Sequence, residues 1–282
     1  MEKLINKKIL SIIIITIIYI IASIIGIIIY NKLSYSNIIN IFIADVIATI
    51  IVFIFSLIFK NSSIYDPYWS VAPIVIITPL FIINNITITS ILILIAIWYW
   101  GVRLTTNWAI FFTNLSKQDW RYNKYKNSTK KLYPIVNFFG IHMMPTILVF
   151  IALIPAIIGV EYNVINIFTI IGFIICLIAT TIELIADIEM YNYRKNNKGL
   201  IRVGLWKYSR HPNYLGEILM WWGIAIIGIS ITNNYYLVIG AILITLLFIT
   251  ISIPLADKKQ SKKEGYKKYR EETRSLLPIP KH

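Results

Sequence analysis

Eight stretches of this chain are apolar for about as many residues as a helix needs to cross a lipid bilayer. They run over about 8–30, 39–59, 68–84, 88–113, 136–158, 164–191, 214–231 and 235–256. About 20 residues of helix span a hydrocarbon core of roughly 30 Å. The third and seventh runs are short, which fits strong tilt or a re-entrant path. Composition agrees with burial in lipid: 57% of the 282 residues are hydrophobic and only 14% are charged, where a soluble protein uses roughly a quarter. With 12 Gly, 10 Pro and a single cysteine, Cys176, the chain is neither a fibre nor a disulfide scaffold. The first run is too long and too rich in Ile for a cleaved signal peptide. The expected fold is an all-α polytopic membrane helical bundle of about eight transmembrane helices.

Charge placement tests that count. The formal charge is +14. Lys3, Lys7 and Lys8 precede the first run, and Lys60 follows the second. Residues 114–135 carry Lys117, Arg121, Lys124, Lys126, Lys130 and Lys131; residues 192–213 carry Arg194, Lys195, Lys198, Arg202, Lys207 and Arg210. The tail beyond Asp257 is basic as well. With eight spans all of these fall on one face, opposite a face with only Lys32, whereas seven spans would split them. The positive-inside rule then places both termini in the cytoplasm. Attraction to anionic lipid accounts for such flanks equally well. Basic loops that adjoin membrane spans and lack a recognition motif do not suit nucleic acid.

Ionisable side chains within apolar runs each cost about 2.5–3.5 kcal/mol on insertion and so call for a reason. Asp45, Arg103, Glu183, Asp187 and Glu217 are in this position. Glu183 and Asp187, four apart, share a helix face that Arg194 continues two turns on. That face reads as the wall of a polar cavity or, alternatively, as a buried ion pair, for instance with Arg103. Asp45 has no sequence neighbour to support a site. His142 reads as a hydrogen-bonded helix contact. One cysteine and three histidines without close spacing give no metal site, and no Gly-x-Ser-x-Gly elbow marks a hydrolase.

Residues 204–217, Gly-Leu-Trp-Lys-Tyr-Ser-Arg-His-Pro-Asn-Tyr-Leu-Gly-Glu, are the densest in chemistry. Arg210 offers a bidentate fork for phosphate, Tyr208 and Tyr214 offer stacking faces, and His211 and Asn213 offer hydrogen bonds. Together they suit an anionic, aromatic, hydrogen-bonding ligand such as a cytosolic nucleotide, held within the bundle because no Rossmann fingerprint is present.

This segment closely resembles the C-terminal signature of membrane proteins related to steroid 5α-reductase, in particular a prokaryotic branch of unassigned function. Residues 65–73 (Tyr-Asp-Pro-Tyr-Trp-Ser-Val-Ala-Pro), 101–104 (Gly-Val-Arg-Leu) and 119–122 (Asp-Trp-Arg-Tyr) match that branch too, as do Ala186-Asp187 and Arg194-Lys195. The resemblance spans roughly residues 60–280. It implies N-terminal helices over 1–60 and a reductase-like domain over 61–282, with an NADPH-binding part over about 164–282. It further implies a prokaryotic plasma membrane with the cofactor facing the cytoplasm. Arg103, Arg121, Glu183, Asp187, Arg194, Tyr208, Arg210, His211, Asn213, Tyr214 and Glu217 would bind the cofactor, and Lys258 and Lys259 would reach its 2′-phosphate.

The activity so implied is reduction of a C=C bond in a hydrophobic enone, steroid-like or isoprenoid lipid. NADPH supplies the hydride. Asp66 and Tyr99 are the implied catalytic pair that polarises the carbonyl. Two departures from the steroid enzymes stand out: Asp66-Pro67 replaces their acid–amide pair, and Trp100 rather than Tyr99 keeps register with their Tyr relative to Arg103. The rival resemblance is to isoprenylcysteine carboxyl methyltransferases, which share the Arg-His-Pro-x-Tyr-x-Gly core and a basic tail and use S-adenosylmethionine. A non-enzymatic lipid-binding protein is the third reading.

Overall fold

The computed structural model describes residues 7–279. Lys3, Lys281 and His282 lie outside the described residues. Eight helical segments are long and apolar enough to cross a membrane: Lys8–Lys32, Asn37–Ile58, Ser62–Ile83, Ile88–Phe111, Trp120–Gly159, Ile167–Asn196, Pro212–Thr232 and Tyr235–Gln260. They are called the first to eighth spans below. No strand occurs among the described residues; Ser209 and Arg274 form an isolated bridge. The chain is thus the all-α polytopic bundle expected from its apolar runs.

Two differences from the expected spans have local causes. The third span is longer because a 3₁₀ turn, Ser62–Tyr65, precedes its helix, with the Asn61 side chain accepting from the Ser63 N–H at 2.9 Å. The fifth span begins far earlier than the apolar run. Within the stretch read as a basic loop, Trp120–Thr129 is a polar helix whose first turn is capped by Asp119, which accepts from the Arg121 N–H at 2.8 Å. A hydropathy criterion does not register a helix of that composition, whereas an Asp at the N-cap satisfies one of its free amides.

The chain divides into two compact units. One comprises the described residues up to Ile83 together with Leu104–Ile151, and the other comprises Asn84–Arg103 with the chain from Ala152 onward.

In the first unit, spans one and two are joined by a four-residue connection, which sets them as neighbours. The first span buries Ser11, Ile15, Ile18, Tyr19, Ala22 and Gly26, a stripe at helical spacing. Its other face exposes Ile9, Ile13, Ile17, Ile20 and Ile24, which suits contact with lipid. The core also holds polar groups, each tied to another. Tyr68 donates to Asp45 at 3.0 Å, the Tyr65 and Thr146 hydroxyls lie 2.7 Å apart, and those of Thr146 and Thr49 lie 3.0 Å apart. Tyr19 donates to the Ile64 carbonyl. Asp45 is therefore part of a buried hydroxyl network. His142 closes a π-helical stretch, Val136–Met143, with Nδ1 2.9 Å from the Asn137 carbonyl; it is the helix contact its sequence setting suggests.

In the second unit the sixth and seventh spans pack tightly. Asn166 starts the sixth by accepting from the Phe168 and Thr169 amides at 2.9 and 3.0 Å, and its amide nitrogen donates to the Ser230 carbonyl on the seventh at 2.7 Å. Pro212 opens the seventh, where its missing N–H is no loss. Gly216 lets the two helices meet. A Cβ there would lie 2.3 Å from Glu183 Cγ and 2.6 Å from the Ala179 carbonyl oxygen. Small residues at helix contacts are how membrane helices gain packing energy without a hydrophobic driving force.

Gly216→Ala is therefore expected to force the sixth and seventh spans apart and destabilise the protein by about 1–3 kcal/mol, read as a lower Tm in detergent. Gly140→Ala, where a Cβ meets nothing nearer than 3.9 Å, should leave Tm unchanged.

Candidate functional site: a buried arginine among three carboxylates

The contact at Gly216 brings Glu183 beside Glu217, the next residue along the seventh span. Arg103, from the fourth span, enters between them. Its Nη1 donates to Asp187 Oδ2 at 2.9 Å, and its Nη2 pairs with Glu183 Oε2 and lies 3.8 Å from Glu217 Oε2. Side-chain exposure is 4% for Arg103, 2% for Glu183, 4% for Glu217 and 12% for Asp187. Trp100 and Trp221, with ring centroids 5.0 Å apart at 73°, donate their indole N–H groups to the two oxygens of Glu217 at 3.0 and 2.9 Å. One guanidinium thus serves three carboxylates in an apolar bundle. The ion-pair alternative raised by the sequence is realised, with a third acid added. Glu183 Oε1 and Asn213 Oδ1, both buried, have no hydrogen-bond partner among the described residues.

Outward from this cluster the charge changes sign. Arg194 acts electrostatically on Asp187 from the same helix. Lys263, beyond the eighth span, donates to the Gly199 carbonyl at 2.9 Å. Burial, then the neighbouring charges of Arg194 and Lys259, lower its pKa below the ordinary lysine value. A group of cations that disfavour one another is a setting in which an added anion is welcome.

The signature 204–217 does two things. Gly204 has φ +57°, and a Cβ on it would overlap the Glu189 carboxylate; that carboxylate accepts from the Leu205 N–H at 2.9 Å. Trp206 donates to the Ala186 carbonyl at 3.0 Å. These contacts fasten the loop to the sixth span. The next residues hold the C-terminal tail. The Arg210 and His211 amides donate to the carbonyls of Arg274 and Ser275 at 3.0 and 3.1 Å. The Arg210 guanidinium donates to the Thr273 carbonyl at 2.6 Å and to Asp257 Oδ2 at 3.1 Å, and His211 Nε2 lies 2.8 Å from Asp257 Oδ1. Tyr269, buried in the tail, donates to the Trp206 carbonyl. Burial and the Asp257 carboxylate push Tyr266 up to about 12, so it stays a neutral phenol at physiological pH. The His211 ring stacks on Tyr214, with centroids 5.2 Å apart and planes at 6°, while Tyr208 is exposed.

The residues chosen from sequence therefore fall into separate groups. Arg103, Glu183, Asp187 and Glu217 form the buried cluster, with Arg194 beyond Asp187. Arg210 and His211 bind Asp257 and the tail backbone. Tyr99 lies 3.1 Å from the Thr181 hydroxyl. Asp66 and Arg121 belong to the other unit. There Tyr122 donates to Asp66 Oδ1 at 2.5 Å, and Arg121 Nε pairs with Asp119 at 2.8 Å and Nη2 lies 4.0 Å from Asp66. Sequence reasoning passed over Asp257, the acid that organises Arg210 and His211, because it follows the apolar run 235–256 and does not lie within it. It marked Trp100 only for its register and passed over Trp221; neither indole carries a charge that would point to Glu217.

Arg103→Met is expected to strand three buried acids and cost about 3–5 kcal/mol, seen as loss of folded protein in detergent. Asp257→Asn should instead free the tail and speed tryptic cleavage within residues 262–274 several-fold while the bundle stays folded. A sequence profile of the family described as "Protein of unknown function (DUF1295)" matches residues 52–273. No curated protein and no solved structure matches the chain. The profile covers most of the chain, including Asp66, the Arg103 cluster, the whole signature and Asp257, and so this eight-span membrane bundle belongs to the DUF1295 family.

Proposed function

We propose that the chain is an integral-membrane reductase that uses NADPH to reduce a C=C bond in a hydrophobic enone, steroid-like or isoprenoid lipid. The observation that carries this reading is the polarity gradient within the second unit. Buried oxygens without a hydrogen-bond partner are present there, Glu183 Oε1 and Asn213 Oδ1 among them. Asp187 interacts with Arg194, and Arg194 and Lys259 in turn repel Lys263. The donor and acceptor set suits a nicotinamide dinucleotide, which needs acceptors for its carboxamide N–H groups and ribose hydroxyls and cations for its phosphates. When bound, NADPH supplies a hydride.

The protein's own groups would do the rest. Asn213 accepts a hydrogen bond, Arg194, Lys259 and Lys263 neutralise phosphate, and Arg103 holds the acids in register. Asp66, which accepts from Tyr122 in the first unit, and Tyr99 in the second are each candidates to polarise the substrate carbonyl. The cofactor side would face the cytoplasm of a prokaryotic plasma membrane, where the positive-inside rule puts the basic loops.

Thermal shift on the detergent-purified protein tests this. NADPH is expected to raise Tm, NADH to raise it less, and Lys263→Glu to abolish the difference between them. Stabilisation by S-adenosylmethionine alone would replace the reductase with the methyltransferase, and no response to any nucleotide would leave a lipid-binding protein. In turnover with an enone lipid, Asp66→Asn and Tyr99→Phe should slow reduction while the NADPH shift persists; unchanged rates remove them from the mechanism.

A further inference from the structure

The buried cluster has three carboxylates and one guanidinium. If all three acids were ionised, two negative charges would stand uncompensated in an apolar bundle, a state that groups avoid by keeping a proton. The hydrogen bonds show which acid keeps it. Glu217 receives an indole N–H on each oxygen, from Trp221 and Trp100. Asp187 receives its own guanidinium nitrogen at 2.9 Å and feels Arg194. These donors favour carboxylates. Glu183 shares Arg103 Nη2 with Glu217 and is in hydrogen-bond contact with the Glu217 carboxyl, a contact that requires a proton on one of the two; its Oε1 receives no donor from any other residue described. Thr180, one turn earlier on the same helix, has a buried hydroxyl oxygen that is likewise unpartnered.

We infer that Glu183 is an intramembrane proton-binding site, a carboxylic acid that carries one exchangeable proton while Asp187 and Glu217 share the charge of Arg103. The ligand is a proton, and the site is assembled by the close approach at Gly216. A reduction that adds one hydride and one proton to each C=C bond has a use for such a store. That use rests on the reductase reading, whereas the site does not.

Infrared spectroscopy of the full chain in lipid nanodiscs, without cofactor or substrate, reads the site independently of any activity. A carbonyl stretch of protonated carboxylic acid is expected in the wild type at neutral pH, shifting on exchange into deuterium oxide. Glu183→Gln, an isostere of the protonated acid, should fold and lose that component, and Glu183→Asp should move it. Asp45→Asn, Asp66→Asn and Asp187→Asn should leave it in place. Absence of any protonated-carboxyl band in the wild type, or a band that survives Glu183→Gln or vanishes with one of the Asp variants instead, overturns the proposal. No rise in Tm with NADPH while the band stays intact would sink the reductase reading and not this one.

Discussion

A guanidinium surrounded by acids inside an apolar bundle is the constraint on which the second unit depends. Arg103 brings a charge that lipid rejects into contact with Glu183, Asp187 and Glu217, so three spans are tied at one point. A buried pair of this kind is weak as a source of net stability, because desolvating the charges offsets much of their attraction. Its value lies in specificity. Any other rotation of the fourth, sixth or seventh span would leave one of these charges unpaired in hydrocarbon. The indoles of Trp100 and Trp221 extend the same logic, since each buries a large ring and spends its only donor on Glu217.

The network works only because the helices come close, and that follows from small side chains. Gly216 sits where a methyl group would collide with Glu183 and the Ala179 backbone. Packing and polarity are therefore coupled: without the close approach Glu183 would not share Arg103 with Glu217. In the first unit the same problem of polar groups in an apolar interior is solved with hydroxyls. Asp45 meets Tyr68, and Tyr65, Thr146 and Thr49 form a chain. Asp45 is thus met by a neutral donor, whereas Glu183, Asp187 and Glu217 of the second unit are met by a cation.

The signature around Arg210 shows how one run of residues can serve both architecture and site. Its first half is fixed to the sixth span by Gly204, Glu189 and Trp206. Its middle grips the C-terminal tail through Asp257 and the backbone of residues 273–275. The tail in turn carries Lys263 towards Arg194 and Lys259. Holding the tail is therefore also what assembles the cationic group that the proposed cofactor would need. Arg210 and His211 would then act on that cofactor by positioning other groups.

Length and hydropathy alone determined the class of fold, the number of spans and most of their limits, because a bilayer demands about 20 apolar residues per helix and tolerates little else. They also exposed Glu183, Asp187, Glu217 and Arg103, since a charge within such a run is conspicuous. Hydropathy did not register the polar helix Trp120–Thr129, whose start depends on an Asp119 cap. It also could not tell which partner each charge would meet. Arg103 lies 80 residues from Glu183 and Asp257 lies 46 from His211. Helical periodicity relates residues three or four apart, and it carries no information about which faces of separate helices will touch. Tertiary packing alone decided that Arg103 serves three acids, that Glu183 keeps an unpartnered oxygen, and that the signature holds the tail.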